Sequence, residues 1–298
     1  MTVWNFGSIN IDHFYAVPHL PGPGETIAAT AHSIGLGGKG ANQSVAAARA
    51  GASVRHIGCV GRDGLWARER MRGFGVNVSH VVEVEAPTGH AIIEVAEDGE
   101  NAIVVFPGAN AEQDRDAIQT ALSSAERGDL LLLQNETTLQ AEAAQIGSKN
   151  GLRVVYSAAP FSIEAVRAVM DHVWLLVVNE IEGHQLECGL GRALHELPSR
   201  HLIVTRGAAG AEWLSDDGRT SVPAMPADVV DTTGAGDTFL GYVAACLDRG
   251  CTPHEALTSG AAAAALKVTR RGTSDAIPSA DEVAAFVQGR NGASSPQS

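Results

Sequence analysis

Hydrophobic positions along the chain follow two rhythms. From about residue 111 onward, short unbroken apolar runs alternate with longer stretches of helical spacing. Strands are predicted at 130–133, 152–156, 173–178 and 202–204, separated by helices at 111–127, 139–149 and 163–170 and a polar helical stretch after 182. The run Leu130-Leu131-Leu132-Leu133 has no polar alternation. Such runs mark parallel strands buried on both faces. All four strands end in polar or glycine-rich residues, and an open α/β sheet collects its ligands at those ends.

The first third reads differently. Strands are predicted at 3–9 and 54–60 with a helix at 42–50 between them, then a helix to Met71 and a strand fragment at 81–85. Two alternating strands, 91–96 and 102–106, are joined by Asp98-Gly99, a hairpin signal. This hairpin falls outside any strand–helix–strand rhythm. It is therefore placed with the short strand at 27–34, in a small sheet built from about 14–34 and the hairpin. Such a sheet can close over a ligand. Near the C-terminus, Thr252-Pro253-His254-Glu255 is a capping box that opens an alanine-rich helix to about 269. Residues 291–298 read as a disordered tail.

Asp231-Thr232-Thr233-Gly234-Ala235-Gly236-Asp237-Thr238 reads as a strand end after Val229-Val230, a glycine turn and the start of a helix. The backbone N–H groups of Gly234, Ala235 and Gly236 then lie at a helix N-terminus, where the dipole favours an anion. Asp237 falls in the first turn beside them. A carboxylate there repels a bound phosphate, but it suits a group that takes a proton from a hydroxyl while the cradle holds transferring phosphoryl charge. An ordinary strand–turn–helix with a dipole-complementing aspartate is the alternative.

A second glycine stretch, Gly35-Leu36-Gly37-Gly38-Lys39-Gly40-Ala41-Asn42-Gln43, matches the dinucleotide fingerprint literally, with Asp63 near the expected distance. The strand before it is short and polar-flanked, so the match is weak. As a P-loop it fails, because Gly40 and not Ser or Thr follows Lys39. What remains is a loop whose backbone can approach a small ligand, with donors from Lys39 and Asn42. Upstream, Asn10 and Asp12 alternate onto one face at the end of the first strand. They are able to bind paired sugar hydroxyls, or simply to make a turn.

Bulk composition narrows the class. The 298 residues are 45% hydrophobic and 18% charged, enough for one large domain or two small ones. A net charge of −13 argues against nucleic acid and anionic membranes as partners. No apolar window reaches the roughly 18 residues of a membrane span. No basic, long apolar leader precedes the first strand, which predicts a cytoplasmic protein. Cys59, Cys188, Cys246 and Cys251 form no CxxC pair and read as buried thiols.

The glycine stretch Gly37 to Gln43 and the stretch Asp231 to Phe239 resemble the two sequence signatures of the PfkB (ribokinase-like) carbohydrate kinases. The resemblance runs from about residue 3 to 280. Gly7-Ser8-Ile9-Asn10-Ile11-Asp12 and the first signature are most similar to the ribokinase branch. The resemblance implies one α/β domain over 1–298: a three-layer sandwich with a mostly parallel central sheet flanked by helices, plus a β lid from about 13–36 and 88–107. It implies ATP-dependent transfer to a sugar hydroxymethyl group with Mg²⁺. Asp237 is then the base and Gly234, Ala235 and Gly236 the anion hole. Asn10, Asp12, Gly38, Lys39, Gly40, Ala41, Asn42 and Glu136 hold the sugar. Asn179 and Glu182 match an Asn-x-x-Glu element that arranges Mg²⁺ and phosphates, with Glu182 acting through water. Thr205, Gly207, Gly210 and Gly236 border the nucleotide. Asp231 and Thr233, with the backbone at Lys267, Arg270 and Gly272, match a loop for a monovalent cation such as K⁺.

The chain departs from the family in places. Ser157-Ala158-Ala159-Pro160 stands where Asn-Pro-Ala-Pro is usual, Ala276 where the cation loop usually has a hydroxyl, and Ala261 where a histidine often lies near adenine. Ribose is the expected substrate, because the polar residues leave no evident slot for a nucleobase. A kinase for fructose, a nucleoside or a sugar acid is the alternative, and a non-catalytic binding protein on the same fold is a third reading. The apolar side chains Ile92, Val95, Ile103 and Val105 on a marginal sheet predict a homodimer through the lid.

Overall fold

The computed structural model describes residues 1–197 and 199–293. The chain opens with strands Val3–Phe6 (β1), Asn10–Val17 (β2) and Ala31–Gly37 (β3), helix Lys39–Arg49 (α1), strand Val54–Gly61 (β4) and helix Leu65–Gly73 (α2). Strands Asn77–Val84 (β5), Gly89–Ala96 (β6) and Asn101–Phe106 (β7) follow. The alternating region comprises Arg115–Leu122 (α3), Leu130–Gln134 (β8), Gln140–Lys149 (α4), Arg153–Ser157 (β9), Ile163–Val169 (α5), Leu175–Asn179 (β10), Glu180–Leu190 (α6) and His201–Thr205 (β11). A hairpin, Ala211–Ser215 (β12) and Gly218–Val222 (β13), precedes helices Ala235–Asp248 (α7), Pro253–Lys267 (α8) and Ala280–Ala293 (α9).

Among the described residues, the central sheet has the order β13-β12-β11-β10-β9-β8-β1-β4-β5. It is parallel from β11 through β5, and β12 and β13 add an antiparallel edge. Helices cover both faces. Leu130 and Leu132 of β8 belong to the core formed with α1, α7 and α8, while Leu131 and Leu133 belong to the core formed with α3 and α4. The unbroken leucine run is thus required by two cores, each buried leucine contributing about 1.5–3 kcal/mol.

The second sheet has the order β3-β2-β6-β7. Strand β2 pairs antiparallel with β3 and parallel with β6, and β6 pairs antiparallel with β7. The β6–β7 turn is the one expected at Asp98-Gly99, with Gly99 at φ 91°. Several expectations shift. The strand expected at 3–9 ends at Phe6, and the chain leaves the central sheet before Asn10. Asn10 and Asp12 therefore begin a lid strand and do not end a central one. The strand expected at 27–34 lies at Ala31–Gly37, because pairing Asn10 with Gly37 and Ala16 with Ala31 fixes its register. The helix expected at 111–127 shortens to α3, where the Asp114 side chain caps Ala117 N–H at 2.7 Å, and a 3₁₀ turn at Gly108–Ala111 precedes it. No strand runs into the Asp231 turn, since residues 223–230 after β13 carry none. Val229 and Val230 are exposed, and Val230 N–H is held by Val268 O at 2.7 Å. The β12–β13 hairpin, whose two-residue turn is Asp216-Asp217, is an element that the sequence reading did not expect. Of the cysteines expected inside, Cys59 and Cys246 are buried, Cys251 is partly covered, and Cys188 on α6 is exposed. The tail expected at 291–298 begins inside α9, and its remainder lies outside the described residues.

Candidate active site

The N-terminus of α1 sits directly on the end of β1. A Cβ at Gly40 would meet Ser8 N at 2.5 Å and the Gly7 carbonyl carbon at 2.6 Å, so this approach requires glycine. Asn5 Nδ2 locks the junction by donating to Gly40 O at 2.9 Å. From there a buried amide chain runs across the sheet. Gln134 Nε2 donates to Asn5 Oδ1 at 3.0 Å and to Gln43 Oε1 at 2.7 Å, and Gln43 Nε2 donates to Asp237 Oδ1 at 3.0 Å. Asn42 Nδ2 donates to Asp237 Oδ2 at 3.1 Å, and Ser274 Oγ orients Asn42 by donating to its Oδ1 at 2.6 Å. Both oxygens of the buried Asp237 carboxylate are thus held by primary amides from α1.

Asp237 lies in the first turn of α7, whose cap Gly234 adopts φ 71°, a left-handed conformation that glycine takes without strain. Ala235 N–H turns back onto Thr232 O at 3.1 Å. Among the described residues, no protein acceptor takes the N–H of Gly234 or Gly236. These donors lie beside Asp237 at the positive end of the α7 dipole. Lys39 completes the local charge balance. Asp237 chiefly, with Glu136 and Glu182, holds its ammonium above the ordinary lysine range, against the opposing effect of burial.

The residues expected to hold a sugar lie where β2 of the second sheet meets α1 and the segment after β8. The Asp12 carboxyl group fills the space over Gly37, where a Cβ would lie 1.9 Å from Oδ2. Burial, with Glu136 and Asp237 nearby, raises its pKa to about 7. Asn10 Oδ1 accepts from Asn110 Nδ2 at 2.7 Å, and Asn110 Oδ1 in turn accepts from Ile9 N–H at 2.9 Å. Glu136 Oε2 accepts from Lys39 N–H at 2.9 Å and from the Ser8 hydroxyl. Burial raises its pKa above the usual glutamate range, and Lys39 opposes this. Asn10, Asp12, Lys39, Asn42, Glu136 and Asp237 come from β2, α1, the segment after β8 and α7, and the charges of Asp12, Lys39, Glu136 and Asp237 act on one another.

The nucleotide-side candidates lie at adjacent strand ends. Asn179 of β10 pairs in register with Thr205 of β11. Asn179 and Glu182 form a capping box on α6: Asn179 Oδ1 accepts from Glu182 N–H at 2.8 Å and Glu182 Oε2 accepts from Asn179 N–H at 2.7 Å. Burial raises the Glu182 pKa, while Lys39 and Asp237 also influence it. Gly207 is exposed in the turn after β11, and Gly210 ends that turn against Val222 O.

The residues matched to a cation loop make a different arrangement. Asp231 Oδ1 accepts from Thr233 N–H at 2.8 Å and Oδ2 from Gly272 N–H at 2.9 Å. The fully buried Lys267 does not offer only its backbone. Its ammonium donates to Asp231 O at 3.0 Å and lies 3.8 Å from Asp231 Oδ2. Lys267 O accepts from Arg270 N–H at 2.9 Å, while the Arg270 guanidinium turns outward to Glu282 at 2.6 Å. A second monovalent cation sharing Asp231 would face this ammonium at close range. Two unit charges about 4 Å apart repel by about 4 kcal/mol at an effective dielectric constant of about 20. The residues present therefore do not fit a K⁺ ion.

Sequence reasoning did not single out Ser8, Asn110, Gln134 or Ser274 as members of the site. Gln134 was visible as the polar end of an apolar strand, and Gln43 lies inside the first signature. Asn110 carries no local signal, since its role depends on contacts with residues about a hundred positions away.

A mostly parallel α/β sheet with a second, smaller sheet, and a buried carboxylate beside unclaimed N–H groups at a helix N-terminus, is a geometry suited to phosphoryl transfer. Residues 2–280 match the pfkB family carbohydrate kinase model, and the chain belongs to that family. It is accordingly a phosphotransferase with an alcohol group as acceptor. The ribokinase of Haemophilus influenzae is 34% identical over 302 residues, covering 96% of this chain and 98% of that protein. The structure of ribokinase from Cryptococcus neoformans in complex with ADP superposes with a TM-score of 0.85 at 33% identity, covering 95% of this chain and 99% of the other. That of Arabidopsis thaliana ribokinase with ribose and ATP gives 0.83 at 28% identity, covering 96% and 98%. No helix among the described residues is long and apolar enough to cross a membrane.

Proposed function

We propose that this protein transfers the γ-phosphoryl group of ATP to the primary hydroxyl of a small sugar, with D-ribose as the preferred acceptor and ribose 5-phosphate as the product. The observation that carries the reading is the Asp237 carboxylate, gripped by Asn42 and Gln43 beside the unclaimed N–H groups of Gly234 and Gly236. Asp237 accepts the proton of the attacking hydroxyl as the new bond forms. Gly234, Ala235 and Gly236 frame the anion hole, and Lys39 adds positive charge that acts on Asp237. Phosphoryl transfer depends mainly on such positioning and charge stabilisation.

Asp12 and Asn10 grip neighbouring ring hydroxyls, Glu136 takes a hydroxyl across the ring, and Gly38, Gly40, Ala41 and Asn42 wall the sugar. Asn10 keeps its Nδ2 for this purpose, since Asn110 occupies its Oδ1. Asn179, Thr205, Gly207 and Gly210 border the nucleotide.

The donor set bears on Mg²⁺. Among the described residues no cluster of three or more His, Cys, Asp or Glu side chains is disposed to hold a metal. Mg²⁺ ordinarily keeps most of its water and takes substrate phosphates as ligands, with one or two protein carboxylates. Glu182 would hold it through water, using the carboxylate oxygen that the capping box leaves over. When bound, Mg²⁺ would neutralise phosphate charge. The exposed apolar side chains Ile34, Ile103, Val104, Val105 and Phe106 on the lid support a homodimer with lid-to-lid packing.

The test is ATP-dependent phosphorylation of ribose, 2-deoxyribose, fructose and adenosine, compared by kcat/KM. Ribose is expected to lead. If fructose or adenosine exceeds it by about tenfold or more, the ribose assignment fails, because a site built on hydroxyl pairing discriminates strongly among its acceptors. Absence of transfer to every acceptor refutes the reading as a whole.

A further inference from the structure

We propose that the Lys267 side chain is a built-in substitute for a monovalent cation, so that this kinase works without K⁺. The inference rests on the sugar-kinase reading for its catalytic consequence and on geometry for its site. Asp231 opens the turn that delivers Gly234 and Gly236 to the anion hole and Asp237 to the reacting hydroxyl. Its carboxylate shapes that turn, one oxygen holding Thr233 N–H and the other Gly272 N–H. A partly buried carboxylate so close to a site for phosphoryl charge needs a neutralising cation.

The chain supplies one. Lys267 is fully buried at the end of α8, and its ammonium donates to Asp231 O at 3.0 Å with Asp231 Oδ2 3.8 Å away. It touches both the carbonyl and the carboxylate of the residue that a loop-bound ion would use. Burial lowers its pKa, while Asp231 and Asp237 raise it. Arg270 is paired outward with Glu282 and Arg271 is exposed, which leaves this position to Lys267. An ammonium ion is close to K⁺ in charge and size, and a tethered one pays no entropy of capture from solution. The departure at Ala276, which leaves the loop short of a hydroxyl ligand, agrees with a site that no longer coordinates a free ion. Lys267 is a positioning residue: it acts through Asp231 and the turn and does not touch the substrate.

The experiment uses the full chain in buffers of tetramethylammonium, K⁺, NH₄⁺ or Na⁺ salts at equal ionic strength. Two readouts are taken, kcat/KM and the thermal midpoint without substrates. The wild type is expected to hold kcat/KM within about twofold across all four salts, and K⁺ should not raise its midpoint above tetramethylammonium. Lys267→Ala and the longer Lys267→Met are expected to lose about tenfold or more in tetramethylammonium, since a charge supporting an anion hole is removed. K⁺ or NH₄⁺ should restore the Ala variant better than Na⁺ and should now raise its midpoint. K⁺ activation of the wild type by several-fold, or a K⁺-specific rise in its midpoint, would overturn the proposal. So would inactive variants that no cation rescues. If the variants do not fold, the wild-type measurements alone decide. If the wild type transfers no phosphate to any sugar, the kinase reading fails, and the midpoint series still tests Lys267.

Discussion

Substituting Asp12 by asparagine should separate the energetic burden of this residue from its use. The Asp12 side chain is 4% exposed, and burial chiefly, with Glu136 and Asp237 adding to it, raises its pKa from an ordinary 3.8 to about 7. The folded protein therefore retains a proton that the unfolded chain releases between these values. Stability falls as pH rises through that window and levels off above it. At 1.36 kcal/mol per pKa unit the full cost of the buried carboxylate is about 4 kcal/mol. About 3 kcal/mol of it develops between pH 5 and pH 8. An asparagine side chain does not titrate, so Asp12→Asn should gain about 3 kcal/mol over the wild type at pH 8 relative to its effect at pH 5. Urea unfolding without sugar measures this. Sugar binding reverses the balance, because hydroxyl donors favour the charged carboxylate. Wild-type ribose affinity should rise with pH up to about 7, and binding below that pH should release a proton that calorimetry in two buffers detects. Asp12→Asn should bind ribose about a hundredfold more weakly, the loss of two charge-assisted hydrogen bonds, with no proton release. An equal stability effect at both pH values would refute the burial argument. A pH-independent wild-type affinity would refute the role of Asp12 as a sugar ligand.

Further outcomes follow from the same geometry. Asp237→Asn should keep ligand binding but lose at least about 10²-fold in kcat, the scale of a lost general base; near-normal turnover would remove Asp237 from that role. Glu182→Gln should raise the Mg²⁺ concentration needed for half-maximal activity more than it raises the sugar KM, and an unchanged Mg²⁺ titration would exclude it. Gly40→Ala, whose Cβ must displace the Gly7–Ser8 backbone at 2.5–2.6 Å, should cost several kcal/mol of stability by chemical denaturation. The protein should scatter light as a dimer at micromolar concentration, and Val104→Glu on the lid, 68% exposed, should yield monomers; a wild-type monomer would end the lid-packing idea.

Much of the architecture was written locally. Unbroken apolar runs such as Leu130 to Leu133 declare a strand buried on both faces wherever it sits, because every side chain must find a core. Asp98-Gly99 declares its hairpin because the turn itself selects those residues. The two glycine stretches were legible for the same reason: close backbone approach at Gly40 and positive φ at Gly234 exclude most other side chains.

What only the tertiary structure decided concerns partners far apart in sequence. No local pattern shows that Asn42 and Gln43 would grip a carboxylate about 195 residues away, or that Gln134 and Asn5 would extend that grip through the sheet. Strand register placed Asn10 and Asp12 at the start of a lid strand and brought Asn110 to Asn10, although the alternating pattern alone placed them at the end of β1. Lys267 is the sharpest case. In sequence it ends an alanine-rich helix, where a lysine complements the dipole and is ordinarily solvated. Packing of α8 beneath the Asp231 turn buries it completely and turns its ammonium onto Asp231. Periodicity reports which residues must leave water. Which charge each buried polar group will meet is settled only when the elements dock.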